Sequence, residues 1–151
     1  MDRLFMTLMA SAAFVFAATI NAAAVDFEGF RYELTDLERS EIEQIVACEA
    51  GADVFEGQVA VALCIKNYCR INDCTVDDAI RALQITTYKR DVTDENREAV
   101  LSAWDYNIDL PTEEPIEFWC TPKAAEAGAW HESQRFVGQY GAHRFYARNN
   151  R

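Results

Sequence analysis

Positive charge is scarce in this chain. Its 151 residues carry 14 Lys and Arg against 25 Asp and Glu, a formal net charge of −11. Phosphate would repel such a surface, so nucleic acid is a poor partner. An anionic membrane would attract it no better. A neutral or mixed-charge polymer is the better match. Histidine is scarcer still, and neither His131 nor His143 stands in a metal-ligand spacing. The 5 cysteines contain no Cys-x-x-Cys, so no zinc-site pattern exists. Gly-x-Ser-x-Gly, a phosphate loop and a dinucleotide fingerprint are all missing. No metal and no cofactor are expected. Internal repeats and low-complexity tracts are absent too. What remains is a globular composition, 50% apolar and 26% charged, at a length that suits one domain with a real core.

The N-terminus reads as an export signal. Arg3 gives a charged start, and Leu4 to Ile20 is a run of apolar and small residues. Asn21-Ala22-Ala23-Ala24 supplies the small residues of a cleavage site, which predicts a signal over 1–24 and one domain over 25–151, with an uncleaved anchor as the second reading. The run is short for a membrane span and has no basic flank on its far side. Its removal takes away Asp2 and Arg3 and leaves the net charge unchanged. The mature protein is expected outside the cytoplasm, secreted or in the cell envelope, and off the membrane. Export permits disulfides. Cys69 and Cys74 bracket the polar connection Arg70-Ile71-Asn72-Asp73 and are the candidate pair. Cys64 falls within an apolar helix and reads as a small core residue.

Thr35-Asp36-Leu37-Glu38 is a capping box that opens a helix. Ile42, Ile45 and Val46 form its apolar stripe, with Leu37 near it. Glu49 lies four residues after Ile45 and seven after Ile42, so helical spacing puts a carboxylate on that stripe. Gly51 then ends the helix. Asp53-Val54-Phe55-Glu56 reads as a second capping box. It leads into Val59 to Ile65, an uninterrupted apolar run that predicts a central buried helix. Gly57 at its start permits close approach of another backbone. Thr75-Val76-Asp77-Asp78 opens a third helix. Thr93 caps a fourth, with Ala99, Val100, Ala103 and Trp104 on its apolar face.

Beyond the loop Asp109 to Pro115 the pattern changes. Ile116, Phe118 and Cys120 alternate with Glu117, Trp119 and Thr121, as in a strand. Pro122 to Trp130 suits a helical turn. Arg135-Phe136-Val137 and Arg144-Phe145-Tyr146-Ala147 suggest further short strands around Gly138 and Gly141. Four helices followed by a small, aromatic-rich β region make an α+β domain.

Glu49 is the anomalous residue. Burial disfavours an ionised carboxylate, and a raised pKa suits a general acid that protonates a leaving oxygen. Asp53 is a suitable second carboxylate for a glycosidase pair, although its spacing to Glu56 fits an N-cap directly. Among the aromatics, Trp119, Tyr140 and Tyr88 sit on a minority strand phase or in loops. They are the candidates to lay rings on sugar faces. Cys120 with His143 would make a thiol nucleophile and base. Such a cysteine usually begins a helix, however, and Cys120 stands in a strand pattern.

Four blocks then resemble one family in order. They are Glu49-Ala50-Gly51-Ala52-Asp53; Gly57-Gln58 with Val59-Ala60-Val61-Ala62; Asn67-Tyr68-Cys69 followed by Thr75-Val76; and Gly141-Ala142-His143-Arg144-Phe145-Tyr146. This order resembles the spore cortex-lytic enzyme family of bacterial cell wall hydrolases. The family pattern has Arg-Gly where Gly51-Ala52 stand, a second Glu at Asp53, an Arg at Tyr68 and a Gly at Cys48. The resemblance implies a lysozyme-like helical core and cleavage of peptidoglycan between N-acetylmuramic acid and N-acetylglucosamine, in the manner of a lytic transglycosylase. It implies Glu49 as the single acid/base, without metal or second carboxylate. Asp53 and His143 join Tyr88, Trp119 and Tyr140 as candidate substrate-binding residues. Two other readings stand beside it, a non-catalytic wall-binding module and a muramoyl-peptide amidase or peptidase. The wall in question, and any targeting partner, are not specified by the residues.

Overall fold

A computed structural model describes residues 32–149. The run expected as a signal, 1–24, lies outside the described residues. Among those described, no helix is long and apolar enough to cross a membrane.

Local signals set the helices. Helix α1 is Asp36–Ala50, and Thr35 and Glu38 close the expected capping box at its start. Ile42, Ile45 and Val46 are sealed from solvent, whereas Leu37, expected near the stripe, is 78% exposed. Helix α2, Phe55–Asn72, is the central element. Every residue from Gly57 to Ile65 is buried, and α2 packs against α1, Val76–Ala82 (α3), Asp94–Trp104 (α4) and the sheet. Helices α3 and α4 open on reciprocal boxes, Thr75 with Asp78 and Thr93 with Asn96. Ala99, Val100, Ala103 and Trp104 face inward as expected.

Two expectations are corrected. The box Asp53–Glu56 does not form: Val54 is the N-cap of α2, without a side-chain bond, because the Asp53 carboxylate is engaged elsewhere. The bridge expected between Cys69 and Cys74 is not seen: all 5 cysteines are free thiols, and these two hydrogen-bond each other. The turn between them is closed by the main chain instead. Asp73 adopts a left-handed conformation, and the N–H groups of Asp73 and Cys74 both donate to the Cys69 carbonyl. Burial, then the neighbouring Cys74 thiol, pushes Cys69 up to about 12.

Three strands form the C-terminal sheet: β1, Phe118–Cys120; β2, Arg135–Tyr140; and β3, His143–Ala147. Their order is β1-β3-β2, all antiparallel. A short helix α5, Pro122–Glu126, and a single 3-10 turn, Trp130–Ser133, connect β1 to β2. The α+β architecture expected from the sequence is therefore the one observed.

Pairing register sorts the sheet's side chains. Trp119 is opposite Phe145, and Tyr140 is opposite His143. Paired residues share a face, as do residues two apart on a strand. Trp119, Phe145, His143 and Tyr140 thus occupy one face. Phe118, Cys120, Phe136, Arg144 and Tyr146 occupy the other, where Phe118, Cys120, Ala125 and Tyr146 form a compact apolar cluster.

Buried amides lock the helices to each other. Gln58 is fully sealed. Its Nε2 donates to the Asp53 carbonyl at 3.2 Å, and its Oε1 accepts from Asn96 Nδ2 at 2.7 Å. One side chain so joins the α1–α2 connection to the cap of α4. Gln58→Leu keeps the volume but leaves a buried donor and a buried acceptor unmatched. The expected cost is about 3 kcal/mol, read as a melting temperature about 10 °C lower. At the other end of α2, Asn67 Nδ2 donates to the Ile116 carbonyl at 2.9 Å and holds the entry to β1.

Candidate active site

Glu49 ends up in the last turn of α1, part-exposed, one turn beyond the sealed Ile45. Its Oε2 accepts from the indole Nε1 of Trp119 at 3.3 Å. The alternation read in β1 is what delivers that indole: Phe118 and Cys120 turn into the apolar cluster, and Trp119 turns the opposite way, toward α1. A donor on the carboxylate fixes where Glu49 points while leaving its other oxygen available.

A second segment meets the same turn. The connection between α3 and α4 brings Tyr88 and Arg90 to Cys48. The Cys48 thiol donates to the Tyr88 carbonyl at 3.0 Å. Tyr88 Oη and Arg90 Nη1 each donate to the Cys48 carbonyl at 3.5 Å, and Gln44 Nε2 donates to the Arg90 carbonyl at 3.1 Å. These contacts occupy main-chain carbonyls that a helix end leaves without partners. Tyr88 itself is 61% exposed, so its ring is available to a ligand beside Glu49. Nothing in the sequence pattern singled out Arg90 or Gln44, since the bonds between this loop and α1 run through main-chain carbonyls; Gln44 Nε2 also donates to the Cys48 thiol at 3.6 Å.

Asp53 is the most engaged carboxylate of the site. It accepts from the Ala142 N–H at 2.9 and 3.0 Å, from the Val54 N–H at 2.8 Å, and bonds His143 Nδ1 at 3.0 Å. Both side chains are nearly sealed, at 6% exposure for Asp53 and 8% for His143. Two glycines make the room. A Cβ on Gly57 would lie 2.9 Å from Asp53 Oδ2, and one on Gly141 only 1.6 Å from Oδ1. The close approach expected at Gly57 is thus an approach to Asp53 and to the Tyr140 carbonyl. Tyr140 packs its ring on Phe145, 5.7 Å between centroids, on the same sheet face as His143.

Burial by itself would raise the Asp53 pKa. The bonds from Ala142, His143 and Val54 outweigh it and hold the carboxyl below its ordinary value. The folded state therefore binds this proton less readily than the unfolded chain does. The stabilisation is fully present above the unfolded value, about 3.9, and disappears as pH falls through the folded one. Melting temperatures measured from pH 7 down to pH 3 should fall for the wild type. The same curve for Asp53→Asn should start lower and be flatter.

Of the residues singled out from the sequence, the structure brings Glu49 together with Trp119, and Asp53 with His143. It keeps Cys120 apart from His143. The Cys120 thiol donates to Tyr146 Oη at 3.7 Å on the opposite face of the sheet, so the two do not form a thiol–imidazole pair.

Comparison with known proteins bears on the fold. No family model and no curated protein matches the chain. One solved structure does: the catalytic domain of the germination-specific lytic transglycosylase SleB from Bacillus anthracis. The TM-score is 0.60 and the identity 22%, over 78% of this chain and 100% of that one. The chain has the fold of that domain. The α+β architecture expected from the pattern of helices and strands is thereby shown.

Proposed function

We propose that this protein cleaves the glycosidic bond between N-acetylmuramic acid and N-acetylglucosamine in peptidoglycan, with Glu49 as its general acid and base. One observation carries the reading: a part-exposed carboxylate at the end of α1, oriented by the Trp119 indole, on the fold of a lytic transglycosylase domain. The protonated Glu49 gives its proton to the glycosidic oxygen as the C1–O bond breaks. The muramic acid C6 hydroxyl then attacks C1, and its proton returns to the Glu49 carboxylate. The carboxyl group is restored, no water is consumed, and a 1,6-anhydro ring closes. Asp53, held by three donors inside the fold, supports the joint and takes no proton in this scheme. The exposed ring of Tyr88 and the faces of Trp119 and Tyr140 suit sugar rings. The apolar N-terminal run, read as a signal cleaved before Val25, would deliver the domain to a wall outside the cytoplasm.

Digestion of purified peptidoglycan and weighing of the soluble fragments tests this. Anhydro-muramic ends, lighter by one water than hydrolysed ends, support the transglycosylase. Reducing ends would mean a hydrolytic muramidase and give Asp53 a chemical role. Binding to sacculi without any released glycan would leave a wall-binding module.

A further inference from the structure

The Asp53–His143 pair does more than close the joint. Nδ1 of His143 faces an acceptor that is already committed. Asp53 takes the Ala142 and Val54 N–H groups and, as a carboxylate, has no proton to give, so Nδ1 carries the hydrogen and donates it. In the neutral imidazole this leaves Nε2 as a bare acceptor. Among the described residues Nε2 has no partner, and it is not one of the buried atoms left without one, so it retains contact with solvent.

Register says where that acceptor stands. His143 is two residues from Phe145 on β3, and Phe145 is opposite Trp119 on β1. Trp119 and His143 are therefore diagonal neighbours on one face, about 7–8 Å apart at the backbone. Trp119 holds Glu49 and His143 holds Asp53, so one sheet face addresses both ends of the Glu49–Asp53 connection. A glycan seated over Glu49 and Trp119 extends a sugar ring or more past that distance.

We propose that His143 Nε2 accepts a hydrogen bond from a hydroxyl of the glycan bound over Glu49, with Asp53 as the positioning residue that fixes the imidazole's tautomer and direction. This rests on the reading of the protein as a glycan-cleaving enzyme. The alternative is a purely structural pin, in which only the Nδ1–H bond matters.

Two substitutions separate these roles. His143→Asn keeps a donor near Nδ1 and removes the acceptor at Nε2. His143→Gln places an amide near Nε2 and gives up the bond to Asp53. Each is measured by melting temperature and by the kcat and KM of fragment release from purified peptidoglycan. The expected result for His143→Asn is a near-native melting temperature with KM raised about tenfold and kcat little changed. His143→Gln is expected to melt lower yet recover part of the KM. A His143→Asn protein with wild-type KM overturns the proposal. So does a KM that simply follows the melting temperature across both variants. Failure of the wild type itself to release glycan overturns the enzyme reading and this inference with it, and is visible before any variant is made.

Discussion

Glu49→Gln is expected to fold as the wild type does and to release soluble glycan about 10³-fold more slowly, within the range that general acid–base catalysis contributes. The amide is isosteric with the carboxyl and keeps an oxygen for the Trp119 indole at 3.3 Å. Glu49 is part-exposed and forms no ion pair among the described residues, so its charge contributes little to the fold. An unchanged melting temperature is the control. The rate falls because an amide can neither give the glycosidic oxygen a proton nor take one from the C6 hydroxyl. Both halves of the reaction lose the same group. A variant that releases fragments at the wild-type rate would sink the assignment of Glu49.

The second large effect belongs to Gly141. Its φ is +58, in the left-handed region, and Ala there costs about 1 kcal/mol in backbone terms. The steric conflict is worse, since the new Cβ would lie 1.6 Å from Asp53 Oδ1. Relief requires moving a nearly sealed carboxylate off the Ala142 N–H and His143, and breaking a buried charged contact costs about 3–5 kcal/mol. Gly141→Ala should therefore lose about 4 kcal/mol or more, a fall of roughly 15 °C in melting temperature, along with most activity. Gly128→Ala isolates the backbone share. Gly128 also has positive φ, at +81, but nothing lies within 4 Å of its Cβ position, so only about 1 kcal/mol is expected. Equal losses in the two variants would show that the Asp53 contact is not what Gly141 protects.

The helices could be read from the sequence because their instructions are local. Thr35, Thr75 and Thr93 each find their partner three residues on, and the sealed stripe of α1 repeats at helical spacing. Glu49 stood out for the same reason: it is the carboxylate that breaks the stripe. Asp53 was misjudged because a local rule competed with a distant one. Its spacing to Glu56 matches a capping box, yet the donors that capture it are the N–H of Ala142 and the ring of His143, 89 and 90 residues further along. Trp119 was recognised as turned away from the apolar phase of β1, but its use as an N–H donor to Glu49 depends on packing that no spacing encodes. Glu117 shows the limit of alternation. It belongs to the polar phase, yet it is 1% exposed and bonded to Arg148 at 3.0 Å, because the sheet's return strand ends beside it. Cys69 and Cys74 bracket a turn as expected, and the main chain had already closed it.

The sequence separations of these contacts have a consequence for timing. Glu49 and Asp53 lie four residues apart, but their partners lie 70 and 90 residues downstream. The capping boxes and the contacts of α1 and α2 span short loops, which close at small entropic cost. The two contacts to the sheet close long ones. A nascent or truncated chain that stops short of Trp119 lacks the sheet partners of both carboxylates. The Glu49 and Asp53 contacts are therefore expected to form after the helices pair, with β1 bringing Trp119 and the β2–β3 hairpin bringing His143.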